Sequence, residues 1–458
     1  MIEAKQSSAK EEGNVISEKN VKSKLEMEGL QVKRRIGLLS SITFIVGAII
    51  ASLVYAELAT MLPKSGGDYS YIMEAFGDCP AFLIFWSHAV IGSSSNVVLP
   101  LVFADYLCAL LFGPCGVPDI IRRMIAAIEM LTLTIVNVTS VRLAVSVQAV
   151  CTISKVCALL VIILGGIISL CQGKVENISN GFDGTTTNIT SYALAFYSCM
   201  WAYGGWYVVN NIAEEVKNPK RNIPKGIVMS MVAVTVIYLL ANVSYFTILS
   251  KKEFLASSAV AYSWGKRVIG SAAVLIPISV MFSVYGTSNG SLFSAGRLYF
   301  AAARNGHSPA IMAYLHIKSL IPVAAVVFPS TVSILLLAYA DITELINFIG
   351  FISFTIHALV MVSDIKLRLT RKELKPTFKV PLVIPIVTFF ICIFMIVAPF
   401  LEKPNIEFLY GVAIIFAGLV FYFIFVYFRK KIPGYDWLTL KCQILLEVSP
   451  TSPSLRLN

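Results

Sequence analysis

The sequence predicts an all-α protein that crosses a lipid bilayer many times. Mean hydropathy is +0.77. Apolar residues make up 57% of the 458-residue chain and charged ones 14%, far from the usage of soluble domains. Apolar runs of about 18 or more residues, each long enough to span a hydrocarbon core of about 30 Å, recur along nearly its whole length. The net charge of +11 is no nucleic-acid footprint, because the Lys and Arg residues sit in short loops between spans, where they set orientation. The nine cysteines include no CxxC pair, so neither a zinc site nor a disulfide framework is expected, nor any metal or cofactor.

In chain order, residues 1–32 read as a disordered cytoplasmic tail, polar and without the apolar region of a cleaved signal. Residues 33–430 form the transmembrane domain, and 431–458 a cytoplasmic C-terminal tail. Spans are expected at 36–62, 80–112, 119–141, 143–171, 191–212, 224–249, 269–302, 321–340, 343–363, 380–401 and 405–428, eleven in all.

The first span is peculiar. Phe44 to Ile50 looks like the opening of one membrane helix, whereas Ala51 to Leu62 looks like the end of another. Orientation raises the same question. "RKK" (429–431) and "DIKLRLTRKELKPTFK" (364–379) are the most basic loops and belong in the cytoplasm. Alternation from there puts "EEVKNPKRNIPK" (214–225) inside and the loop 172–190 outside. That outer loop carries two weak glycosylation sequons, at Asn177 and Asn188. It also puts the N-terminus outside, although Lys33, Arg34 and Arg35 precede the first span. Either the chain has eleven spans with a basic exterior end, or a crossing has been lost between Ile50 and Ala51.

The fifth span, "ALAFYSCMWAYGGWYVVNNIAEEV", carries adjacent glycines, Gly204 and Gly205, among Trp201, Tyr203 and Trp206. A glycine inside a helix costs about 1 kcal/mol relative to alanine. Freed peptide groups are tolerated in a bilayer only where they line a cavity or meet a ligand. Two readings stand: a midplane break presenting half-helix ends to a polar solute, or close helix packing at small residues. Lys155 lies thirteen residues after Arg142, about 20 Å along a helix. An ammonium that deep either holds carbonyls where a transporter of another kind binds Na⁺, or lines a solvated cavity. Glu57, His88, Asp105 and Glu129 also fall in or near spans and receive no role. No catalytic constellation accompanies them, so an enzyme is not expected.

Several stretches resemble the light, catalytic subunits of heteromeric amino acid transporters, in the branch exchanging cystine and neutral amino acids. They are "YAELATMLPKSGGDYSYI" (55–72), "LAFYSCMWAYGGW" (194–206), "EEVKNPKRNIPKGI" (214–227), "SNGSLFSAGRLYFAAARNGHSP" (288–309) and "FKVPLVIP" (378–385). The resemblance covers nearly all of 33–448. It implies a LeuT-like inverted-repeat fold with twelve spans, against about eleven here, and sodium-independent exchange at the plasma membrane. It further implies an aromatic gate at Trp201, an unwound substrate segment at Tyr203, Gly204 and Gly205, and a side-chain pocket near Asn347. Lys155 matches the lysine that replaces a sodium ion. Cys115 matches the cysteine that forms a disulfide with a single-span glycoprotein heavy chain.

One departure bears on function. In such transporters "IVGTII" leads into a glycine-rich stretch that unwinds the first helix and binds substrate, whereas "IVGAII" here runs straight into "ASLVYAEL". Some thirty-odd residues are missing by that measure. Gly47 and Ile50 remain at the edge of half a substrate site. The expectation is therefore an exchanger of neutral, possibly large or aromatic amino acids, or a transport-deficient isoform of one.

Overall fold

A computed structural model describes residues 38–112, 117–179, 196, 199–200, 202–257, 260–339, 342–400, 406–430 and 433–450. The long helices follow the apolar runs closely. In order they are α1 (Leu38–Met61), the short α2 (Asp68–Phe76), α3 (Asp78–Phe112), α4 (Asp119–Thr139) and α5 (Val141–Cys171). After the interrupted segment come α6 (Pro219–Phe246), α7 (Leu275–Arg304), α8 (Val323–Leu336), α9 (Ile342–Thr370), α10 (Val383–Val397) and α11 (Ile406–Phe421). Among the described residues, six helices are long and apolar enough to cross a membrane, and three shorter apolar ones accompany them. Ten of the eleven expected spans fall on a helix. Much of the fifth lies outside the described residues, as do the N-terminal tail, Cys115, Asn188 and Trp201.

The helices turn apolar side chains outward as well as inward. On α4, Ile120, Met124, Ile128, Leu131 and Ile135 are all exposed, one stripe at helical spacing, while Ala126, Glu129, Met130 and Leu133 are buried. That pattern suits a solvent of lipid rather than water. The first turns of α4 carry Asp119, Arg122 and Arg123, which pair with one another and with Asp105 of α3.

The most extensive packing joins α3 to α7, with α9 against α10, α1 against α6, and α5 against both α7 and α6. α1 runs unbroken through the Ile50–Ala51 junction as 24 residues of helix, about 36 Å long. Its second half is enclosed on nearly all sides: Val54, Tyr55, Ala56, Leu58 and Ala59 have no exposed surface. Glu57, also without exposed surface, is held by Arg368 of α9 at 2.5 Å and by the Val380 N–H at 2.6 Å.

The C-terminal tail is partly docked. A helix, α12 (Tyr435–Leu445), leads into β2 (Val448–Ser449), which pairs antiparallel with β1 (Leu315–His316) in the loop between α7 and α8. Val448 is buried against Ile321 and Val323 there, so the tail from 433 to 450 packs on the transmembrane domain.

Where α5 crosses α6, no side chain fits. A Cβ on Gly166 would stand 2.3 Å from Ser244 Cβ and 2.6 Å from Ser244 Cα. Because a backbone atom cannot swing aside, Gly166→Ala should force the helices apart at a cost of about 1–3 kcal/mol. Thermal melts of detergent-solubilised protein should show it several degrees below the parent, with Gly226→Ala, exposed and with open space for a Cβ, as the control for handling.

Candidate functional site

The fifth segment breaks where its glycines lie. Ala202 and Tyr203 are helical, Gly204 to Tyr207 form a turn, and helix resumes over Val208–Asn211 before a 3-10 turn at Ala213–Glu215. Gly205 adopts φ +104°, a conformation that side-chain-bearing residues rarely take. The turn closes with Val208 N–H donating to Gly205 C=O at 3.1 Å.

Large aromatics seat this turn from three sides. Tyr203 stands edge-on to Tyr238 of α6, centroids 5.2 Å apart. Trp206 stands edge-on to Tyr55 of α1 at 4.6 Å and stacks on His357 of α9 at 5.6 Å. Tyr55 Oη and His357 Nδ1 are 2.8 Å apart. Several polar atoms of the broken segment are buried without a hydrogen-bond partner: Trp206 Nε1 and both amide atoms of Asn210. Such atoms are costly to leave unmatched. Gly204 is exposed.

Below the break the chain is tied shut. In the loop after α1, Gly66 (φ +111°) and Gly67 (φ +48°) bring the backbone against Asn210 and Asn211. A Cβ on Gly67 would lie 2.4 Å from Asn211 Oδ1. Gly66 N–H donates to Asn211 C=O at 3.3 Å, and Ser65 and Glu214 exchange two hydrogen bonds at 3.1 and 3.2 Å. α7 completes the closure: Arg297 pairs with Glu215 at 2.9 Å, Arg304 with Glu214 at 3.4 Å, and Asn211 Nδ2 donates to Ser294 Oγ at 2.8 Å. The sequence reading gave these acids no partners. The signal was present in the seven-residue spacing of Arg297 and Arg304, which puts both on one face of α7.

A buried carboxylate sits behind this closure. Asp68 accepts from His88 Nε2 of α3 at 2.8 Å, with the Tyr55 hydroxyl close by. Burial alone would raise its pKa, but the hydrogen bond and charge of His88, aided by His357 and Tyr55, hold it below the usual carboxylate value.

The other expected site residues are distributed as follows. Lys155 of α5 is half-buried and donates from Nζ to Thr287 Oγ1 of α7 at 3.3 Å. Asn347 is half-buried on α9, ten residues before His357 and so about 15 Å away along the axis. Gly47 and Ile50 lie within α1, on turns preceding the Tyr55 that touches Trp206. Asn177 is exposed in a short helix, Glu176–Ser179. No group of three His, Cys, Asp or Glu among the described residues is placed to hold a metal ion.

A family model described as amino acid permease matches residues 34–428. The chain belongs to that family. It is 37% identical to the mouse b(0,+)-type amino acid transporter 1 over 93% of this chain and 95% of that protein. It is 38% identical to the rabbit large neutral amino acids transporter small subunit 2, over 86% and 75% of the two chains. The human cystine/glutamate transporter is 32% identical over 93% of each. The match to the mouse protein runs over 467 positions but takes in 93% of 458 residues, about 426. About 41 aligned positions of that relative therefore have no counterpart here.

Asp68 yields a pH-dependent expectation. Its folded pKa lies below the unfolded value of about 3.9. Its contribution is thus complete above that value and is lost as pH falls through the folded one. Asp68→Asn should lower the melting temperature by several degrees at pH 7, consistent with losing a charged hydrogen bond worth about 1.5–3 kcal/mol. The gap to the parent should narrow below about pH 4. A gap that stays constant from neutral to acid would contradict this assignment.

Proposed function

We propose that this family member exchanges neutral amino acids without sodium, as the light subunit of a disulfide-linked heterodimer at the plasma membrane. The observation that carries the reading is the turn at Gly204–Tyr207, with positive-φ Gly205 and buried, unpartnered Trp206 Nε1 and Asn210 beside it. A helix break with orphaned side-chain atoms inside a bilayer suits a zwitterion's carboxylate and ammonium. Trp201 would gate this turn, Tyr203, Gly204 and Gly205 would meet the substrate backbone, and Asn347 its side chain. Lys155, held on Thr287, would take the place of a sodium ion. Cys115 would carry the disulfide to a single-span glycoprotein heavy chain.

Neutral selectivity has support in the charges around the break. Gly204 offers no carboxylate, and the first acids beyond it, Glu214 and Glu215, are engaged by Arg304 and Arg297. A cationic substrate side chain would find neither free. The relatives named for neutral, b(0,+)-type and cystine/glutamate transport fit an amino acid cargo in general.

A second reading has an observation of its own. α1 is continuous where an exchanger's first helix would unwind, and about 41 positions of a relative are unmatched. The unmatched length is similar in size to the segment expected between Ile50 and Ala51. On this reading this form is a transport-deficient isoform or non-conducting subunit still able to pair through Cys115.

Proteoliposomes holding this chain and a heavy chain separate the two. Counter-flow of labelled leucine, unaffected by replacing sodium, is expected of the exchanger, and its absence with normal pairing supports the second reading. Stronger competition by arginine than by leucine or tyrosine would reject neutral selectivity. Gly205→Ala, which imposes about 1–3 kcal/mol of backbone strain, should slow exchange about tenfold or more. Equal rates for parent and variant would remove the turn from the substrate path.

A further inference from the structure

Three consecutive residues of α7 face the α4–α5 hairpin, and each meets a polar side chain. Thr287 takes Lys155 of α5, and Asn289 is bonded to Asn137 of α4, to Gln148 and to the Ala144 carbonyl. Between them, Ser288 lies alongside Glu129 of α4, yet neither completes a hydrogen bond: both Glu129 carboxyl oxygens and Ser288 Oγ are buried without partners. Glu129 is 3% exposed and Ser288 1%.

Among the described residues, no hydrogen bond or ion pair answers the charge on such a carboxylate. Other charged side chains of α4, Asp119, Arg122 and Arg123, lie six or more residues away and are paired among themselves and with Asp105. Lys155 is bonded to Thr287 and does not reach the Glu129 oxygens, His88 of α3 pairs with Asp68, Arg297 and Arg304 of α7 pair with Glu215 and Glu214, and α8 carries no charged residue at all. Around Glu129 the neighbours on its own helix are Ala126, Met130 and Leu133, all fully buried. An uncompensated carboxylate in such surroundings costs several kcal/mol. A metal ion would need several oxygen donors, and the described residues offer no metal-holding group. A proton needs one.

We propose that Glu129 is a proton-binding site within the helix scaffold, filled when α4 and α7 are packed as they are here. The bound proton makes the carboxyl a neutral donor and acceptor, able to turn toward Ser288. Parting of α4 from α7 would admit water, ionise Glu129 and release the proton. The packing of these helices is thereby linked to protonation beside the contact that holds Lys155. The site is independent of whether this chain transports, and so is its test.

Infrared difference spectra of the full chain in lipid nanodiscs, parent against Glu129→Gln, read the group directly. The expected result is loss of a neutral carboxylic-acid carbonyl band at neutral pH. Loss of a carboxylate band instead overturns the proposal. Should Glu129→Gln fail to fold, the parent alone decides by carbodiimide chemistry. Dicyclohexylcarbodiimide, which reaches neutral carboxyls in apolar surroundings, should leave its adduct on the peptide containing Glu129. A water-soluble carbodiimide should not. Labelling of Glu129 by both reagents alike, or by neither, overturns it.

Discussion

Inside a bilayer a peptide group without a partner has no water to turn to, and that constraint organises this molecule. Nearly every apolar run answers it by coiling into helix. The turn at Gly204–Tyr207 departs from it, and the surroundings compensate. Tyr238, Tyr55 and His357 pack against Tyr203 and Trp206, while other polar atoms of the segment stay unmatched. Such an arrangement is stable only if a solute or water completes it. The cost of the break and the proposed substrate contact rest on the same unmatched polar atoms.

Charge placement follows the same economy. Arg297 and Arg304 meet two adjacent acids at the end of the broken segment, where water can screen the partly exposed ends of each pair. Two deeper acids also have partners. Glu57 has an arginine and a backbone N–H, and Asp68 has a histidine. The closure that ties the glycine loop after α1 to the broken segment and to α7 is therefore built from groups that separate at modest cost. A contact that must open in a transport cycle is better made this way than from packed apolar side chains, whose separation exposes area at about 25 cal/mol per Å².

Much of this was legible in the residues. The spans were legible because lipid demands length and apolarity, which a single run displays without reference to the rest of the chain. The break was legible too, since paired glycines among three large aromatics contradict the leucine- and valine-rich texture around them. The closure was not. Glu214 and Glu215 looked like acids after a helix, and their partners lie more than eighty residues away on α7. Asp68 with His88, and Tyr55 with His357, are invisible for the same reason. Each pair joins residues of different elements, and only packing α2 on α3 and α1 on α9 puts them within 3 Å. Glu129 stood out as an acid in an apolar helix. Its isolation became a property only once every neighbour was known.

The first helix shows how far local rules can go. Gly47 to Ile50 and Ala51 to Leu62 satisfy helix propensity and hydrophobicity equally well, so joining them yields one continuous helix with no local defect. The conflict appears only at larger scale. A 24-residue helix spends one crossing where the basic residues at both ends of the domain ask for an even number. The half from Ala51 onward is enclosed by α6 and α9 and carries Tyr55 and Glu57 to their partners, so it is fixed by the fold whatever precedes it. The half before Ala51 must then take whichever direction the helix imposes. An unwound first helix opposite Gly204 would need backbone freed near Ile50, and there the chain has hydrogen-bonded helix. The turn at Gly204–Tyr207 thus faces a first helix with no break in it.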